Sequence, residues 1–384
     1  MPFARPWLAL LMIAAGLAAC ADRASEDPRL RTPVGLVERA ALERVLERLV
    51  VLEGTPAARH ARSLRETLGD CAMVGIERRA QHPELVCADD ATDDTTRGLF
   101  AFAKFRRGEA DGGLLWPVGE TGRLELTADV DADGGIVLEG FLRPPADGAL
   151  DLLVPAAEGP DAQVLRAADA LVYARLRPEG GLRLARLLPE GGQADRMFAL
   201  KGRLLEGALL RGTVELAFLP PGREDDVPLP IGALHHRGAA PLAAALDEAL
   251  EQLEATWPIE RTPRAFSAAN GTQHEGGCFE DLPLLPGLAP CWVVTDTALI
   301  VGWQAEALDR ALGPAGVAAA SELATTPAPA LSVDLARIAR DDRTRGASEP
   351  DSLHPGDLFS SLDVVLSPAE GGVRFVARLE PGAR

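Results

Sequence analysis

Leu124 to Val130 and Ile136 to Leu142 alternate apolar with other residues on either side of Asp133-Gly134-Gly135. A period of two broken by a glycine turn commits a stretch to antiparallel strands, because only a strand sends alternate side chains to opposite faces. The same phrase returns near the C-terminus. Glu370-Gly371-Gly372 is followed by Val373-Arg374-Phe375 and stops at Leu379-Glu380-Pro381, as the first copy stops at Leu142-Arg143-Pro144. A preceding strand, Leu124 to Val130 or Leu362 to Leu366, completes a hairpin in each. The spacing is identical and leaves two readings: two related halves that each close with this hairpin, or ordinary recurrence of a hairpin.

Helical periods are interleaved with these strands. Leu42, Val45, Leu46, Leu49 and Val50 share one face of a helix whose other face carries Glu38, Arg39, Glu43, Arg44, Glu47 and Arg48. Thr55-Pro56 opens a second helix that closes at Gly69. Leu171 to Leu176 and Thr213 to Leu219 read as strands, with Leu182 to Leu188 and Met197 to Leu210 as helices. Pro241 starts a helix carrying Leu242, Leu246, Leu250, Leu253 and Trp257 on one stripe. Cys291 to Val294 and Ala298 to Val301 form a hairpin, with a helix from Gln304 to Leu312 behind it. The expected class is α+β, with antiparallel sheets and helices packed on one face. The expected divisions are a signal peptide over 1–19, a tether over 20–34, a helix pair with strands over 35–154, and a larger α+β domain over 155–384.

With 57 acidic against 39 basic residues, the chain of 384 carries a net charge of -18. Nucleic-acid binding requires clustered Lys and Arg, and Lys occurs only at 104 and 201, so no nucleic-acid partner is expected.

The first twenty residues have a charged start at Arg5, an apolar run from Trp7 to Ala19 and then Cys20. That run is short for a bilayer span, which takes about 20 residues, and fits an export signal. Leu17-Ala18-Ala19-Cys20 resembles the lipobox of bacterial lipoproteins. The resemblance implies cleavage before Cys20 and acylation of that cysteine, which anchors the chain in a membrane. Ala21 stands where an aspartate would signal inner-membrane retention, so the expected address is the periplasmic face of the outer membrane. The stretch Ala289 to Gly302, followed by a helix over Ala305 to Leu312, is similar to an uncharacterised family of exported bacterial α+β proteins. That resemblance implies no activity.

Four cysteines remain after Cys20: Cys71, Cys87, Cys278 and Cys291. Three pairings are formally possible. The local ones, 71 with 87 and 278 with 291, each close a loop of about 15 residues, which stabilises by about 3 kcal/mol. A metal site from His274, Cys278 and Cys291 is the competing use, but no Cys-x-x-Cys accompanies it and an export route is oxidising.

Candidate chemistry is sparse. Asp129, Asp131, Asp133, Gly134 and Ile136 reproduce the start of a calcium loop, but the twelfth position is Gly140 where a glutamate is required. In a hairpin the same aspartates are the solvated side and the turn. Asp89, Asp90, Asp93 and Asp94 read as a solvated loop or a weak divalent-ion site. His235 and His236 are adjacent in a strand and therefore point to opposite faces. No nucleophile elbow, zinc-protease motif, phosphate loop or dinucleotide fingerprint occurs. No cofactor or catalytic residue is expected. The leading expectation is a lipid-anchored envelope protein that binds a protein or cell-wall partner. A carrier of a lipid or other apolar ligand and an unrecognised hydrolase are the alternatives.

Overall fold

The computed structural model describes residues 35–51, 56–79, 82–87, 111–118, 122–143, 165, 170–176, 210–221, 228–256, 259–280, 289–313, 330–344 and 354–382. Among them are sixteen strands and five α-helices. The registered strand pairs are antiparallel, so the molecule is mostly antiparallel sheet with helices added, a mixed α+β arrangement.

The chain begins with β1 (Gly35–Glu38), which runs without a loop into α1 (Arg39–Val51). It continues through α2 (Pro56–Leu68), β2 (Met73–Arg79), β3 (His82–Cys87), β4 (Gly112–Val118), β5 (Gly122–Val130) and β6 (Ile136–Arg143). Next come β7 (Val172–Leu176), β8 (Leu210–Leu219), β9 (Leu229–His236), α3 (Ala239–Thr256), β10 (Glu260–Ser267) and β11 (Gln273–Glu280). After these lie β12 (Cys291–Val294), β13 (Ala298–Gly302), α4 (Ala305–Leu312), β14 (Leu331–Asp334) and α5 (Leu335–Thr344). The chain closes with β15 (Phe359–Ala369) and β16 (Gly372–Pro381).

Two compact units result. The first holds residues 1–150 with 348–361 and 366–384; the second holds 151–347 with 362–365. The C-terminal hairpin, expected inside a 155–384 domain, therefore belongs mostly with the N-terminal strands. Backbone pairing overrides sequence order here, because β6 offers a ladder that only β16 fills.

In the first unit the strand order is β15-β16-β6-β5-β4-β1-β2-β3. The two hairpins with the repeated glycine phrase lie side by side. Ile136 stands opposite Leu379, Glu139 opposite Val376, and Leu142 opposite Val373. Ile136 and Val373 hold the same place after their glycine pairs, as do Glu139 and Val376. The pairing is thus its own mirror about the Glu139–Val376 rung, a local dyad. Gly134 (φ 80°) and Gly371 (φ 74°) occupy equivalent turn positions in the left-handed region. Ala41 and Leu46 of α1 are buried, as are Ala58, Ala61 and Leu68 of α2. Gly69, at φ 49°, ends α2 and donates its N–H to the Arg65 carbonyl.

In the second unit the order is β10-β11-β12-β13-β9-β8-β7-β14. Alternation along the strands divides the core in two. Ile231, Ala233, Cys278, Cys291, Val293, Ala298 and Ile300 pack with Ala307, Leu308, Ala311 and Leu312 of α4. Leu234, Phe279, Trp292, Val294 and Leu299 pack with Leu242, Leu246 and Leu250 of α3. These helices cover opposite faces of the sheet, where the sequence pattern led us to expect one face. Apolar residues at both parities of β12 and β13 are the physical reason: each face needs its own cover.

The expected helix over Met197 to Leu210 is corrected at its end, since Leu210 opens β8; residues 197–209 lie outside the described residues. So do the strand expected over Leu99 to Phe105, the helix over Leu182 to Leu188, and the acidic cluster Asp89, Asp90, Asp93 and Asp94. Among the described residues no helix is long and apolar enough to cross a membrane.

Candidate functional site

The second unit carries an open groove of about 600 Å³ between α3 and the outer strands β10, β11 and β12. Its wall is the first half of α3, through Ala239, Ala240, Ala243, Leu246 and Asp247. Its floor is Gln273, Glu275, Gly277 and Pro263, with Trp292 and Val294 behind. Register explains this grouping: Pro263 is opposite Gly277, and Gly277 is opposite Trp292, so the three form one row on the α3 face.

Glycine keeps the floor low. A Cβ on Gly277 would stand 2.7 Å from Cζ2 of the Trp292 ring, and one on Gly276 would strike the Trp292 carbonyl. The indole leans on Phe279, ring centres 5.0 Å apart at 42°. That contact fixes the ring within the groove. Arg261 bridges to Asp247 at 3.1 Å and to Glu254 at 3.3 Å, which closes one end with a paired cation. His274 and Glu275 flank the other end. The groove therefore combines one fixed aromatic ring with several hydrogen-bonding side chains, and its formal charge is -1 (Asp247 and Glu275 against Arg261).

A second polar assembly lies on the other face of the same sheet. The Glu215 carboxylate accepts from the Leu165 N–H at 2.9 Å and from the Tyr173 hydroxyl at 3.1 Å. His235 Nε2 meets its other oxygen at 2.5 Å; a carboxylate only accepts, so the imidazole donates. Glu215, His235 and Tyr173 are each at most 2% exposed. Burial this complete denies a substrate access to the carboxylate, and the arrangement ties β7, β8 and β9 together. His236 points to the opposite face, as alternation requires, and its Nε2 lies 2.8 Å from the Thr295 carbonyl.

The residues singled out from sequence fall into separate places. Cys71 pairs with Cys87 and Cys278 with Cys291, the two local bridges. Cys278 and Cys291 face one another across β11 and β12, immediately beside Gly277 and Trp292 of the groove. Asp131 Oδ1 accepts the Gly135 N–H at 2.7 Å, and Asp129 Oδ1 accepts the Asp111 N–H at 3.3 Å. Asp133 sits in the turn between β5 and β6. Among the described residues no group of three or more His, Cys, Asp or Glu is placed to hold a metal ion. Cys20 lies outside the described residues.

Sequence reasoning missed Trp292 as a groove residue and Glu215 as a buried hub. The glycine pair Gly276-Gly277 inside a strand was the available signal for the first, since such glycines mark a close approach. For Glu215 the pattern pointed the wrong way: Leu216 and Phe218 are its more exposed neighbours, at 46% and 36%.

Among known proteins, the chain matches no family model, no curated protein and no solved structure.

Proposed function

We propose that this is a lipid-anchored, non-catalytic protein of the bacterial cell envelope that binds a cell-wall saccharide in the groove beside α3. The lipobox at Leu17 to Cys20 supports anchoring through an acylated Cys20, on the periplasmic face of the outer membrane. Two bridged cysteine pairs fit an oxidising compartment. The paired hairpins, with equivalent glycines and a self-mirrored register, support the reading of two related halves.

The groove is the observation that carries the ligand assignment. A sugar presents C–H faces to an aromatic ring and hydroxyls to carboxylates, amides and guanidinium groups; Trp292, Asp247, Arg261, Gln273 and Glu275 supply both kinds of contact. Asp247 and Arg261 already pair with each other, while Gln273 and Glu275 offer further hydrogen bonds that a sugar hydroxyl can use and an acyl chain cannot. Both faces of the sheet are also filled by packed aliphatic clusters, which weighs against an engulfed lipid. A formal charge of -1 in the groove disfavours acidic polymers, so a neutral glycan is the fitting class.

Titration of the protein with a chito-oligosaccharide, read by calorimetry and tryptophan fluorescence, is the test. Saturable heat and a fluorescence shift, both lost in Trp292→Ala, are expected. A silent titration with correctly folded protein would sink the saccharide assignment.

A further inference from the structure

We propose that the groove beside α3 is a blind slot that takes the end of a glycan chain, so that the protein binds chain ends and not the internal stretches of a polymer. The inference rests on the saccharide reading of the same groove and adds how the ligand must enter.

The path of α3 carries it. Residues 237–238 separate β9 from α3, and residues 257–259 separate α3 from β10. In the sheet β9 and β10 are four strand steps apart, about 19 Å at about 4.8 Å per step. The 18 residues of α3 span about 27 Å, so the helix runs obliquely over the strands between them. Its direction follows from register. Gly276, Val293, Ile300 and Ala233 share one row, which sets Gln273 level with His236, where the helix leaves β9. The helix ends where β10 begins, at Glu260 opposite Glu280. Near Gln273, therefore, α3 stands away from β10 and β11; toward Glu280 it converges on β10.

Burial follows this wedge. Gln273 and Glu275 are exposed at the wide end. At the narrow end Leu250 and Phe279 are buried, with Leu253 and Ile259 packed against their cluster. Arg261, opposite Phe279, bridges to Asp247 and Glu254 of α3 and ties strand to helix there. A glycan that follows the floor inward over Trp292 meets this plug and stops. The six residue steps from Gln273 to Phe279 give the slot a length of about 20 Å, room for a short run of sugar rings. The innermost ring meets Arg261 and Asp247. A guanidinium has five N–H donors, so its two bridges leave others for the hydroxyls that only a terminal ring has free.

The test uses the full chain with Cys20→Ser, so that acylation plays no part, and calorimetry with three ligands. These are chitohexaose, chitohexaose with a bulky group on its reducing end, and chitohexaose with that group on its non-reducing end. The unmodified chain and one blocked chain are expected to bind alike. The other blocked chain should lose about tenfold or more, because its group clashes with the plug, and this identifies the end that enters. Equal affinity for all three overturns the proposal, as does loss of both blocked chains, and the saccharide reading survives either result. No binding of the unmodified chain by folded protein sinks both. Arg261→Ala should weaken the unmodified chain about tenfold, the cost of a hydrogen bond to a charged group. An unchanged affinity in that variant overturns the placement of the chain end.

Discussion

Each unit contains a carboxylate gripped by several donors, and the two differ mainly in water. In the first, Glu43 joins Arg39 on its own helix and Arg65 on α2, at the protein surface; their side chains are 22%, 17% and 34% exposed. In the second, Glu215 and His235 are 0% and 2% exposed. The chemistry is similar and the expected energetics are not. A half-buried pair that water still reaches competes with hydration and is worth about 1 kcal/mol. A buried carboxylate cannot be replaced by water when it is lost, so its partners are stranded. Glu43 links Arg39 of α1 to Arg65 of α2, whereas Glu215 is a condition for three strands to share a dry face.

The sharpest way to break this comparison is to delete both carboxylates. Glu215→Ala should cost about 3–5 kcal/mol in urea unfolding, the range for removing one partner of a buried pair. If Glu43→Ala proves equally costly, the contrast in burial is not what separates them. Next in size are the bridges. Replacing Cys278 and Cys291 together by Ala should cost about 3 kcal/mol from the loop constraint alone. Both cysteines also lie in the α4-side core, so the loss should exceed that of the Cys71 and Cys87 pair, where Cys87 is exposed. Thermal unfolding of the two double variants decides the order.

A smaller effect is expected at the groove. Gly277→Val should displace the Trp292 ring and weaken saccharide binding at least tenfold, visible as a changed indole emission maximum. The smallest belongs to Glu43. Burial pushes its pKa up, but hydrogen bonds from Arg65 and Arg39, with their charges, outweigh that and hold the carboxyl below its usual range. A depressed carboxyl contributes stability that is complete above the unfolded pKa of about 4.3 and is lost as pH falls through the folded value. Glu43→Gln should therefore lower the melting temperature slightly at neutral pH and flatten its fall below about pH 5. An unchanged acid limb would show that the ion pairs contribute nothing in solution.

Much of this architecture is readable from local pattern. The turns at Asp133-Gly134-Gly135 and Glu370-Gly371, the hairpin from Cys291 to Val301, and helices α1, α2, α3 and α4 follow from periodicity and glycine placement. Strands β2 and β3 do not, because Arg78, Arg79, His82 and Pro83 interrupt the alternation that would mark them. Strand β10 is similarly hidden by its polar, edge-strand composition, with Pro263 at its centre. The groove was illegible for a different reason: its residues come from α3, β10, β11 and β12, and only register brings Pro263, Gly277 and Trp292 into one row.

What the sequence determined by itself is therefore short in range: which stretches turn, which cysteines are near enough to bridge, and which segments can present one apolar face. Those properties depend on residues within a few positions of one another. The tertiary structure decided that β16 pairs with β6, that α3 and α4 take opposite faces, and that Glu215 is inside while Leu216 and Phe218 are more exposed. Each of these is a choice among pairings with similar local cost. The last of them is settled by distant donors, Leu165, Tyr173 and His235, which no local pattern can bring to the Glu215 carboxylate.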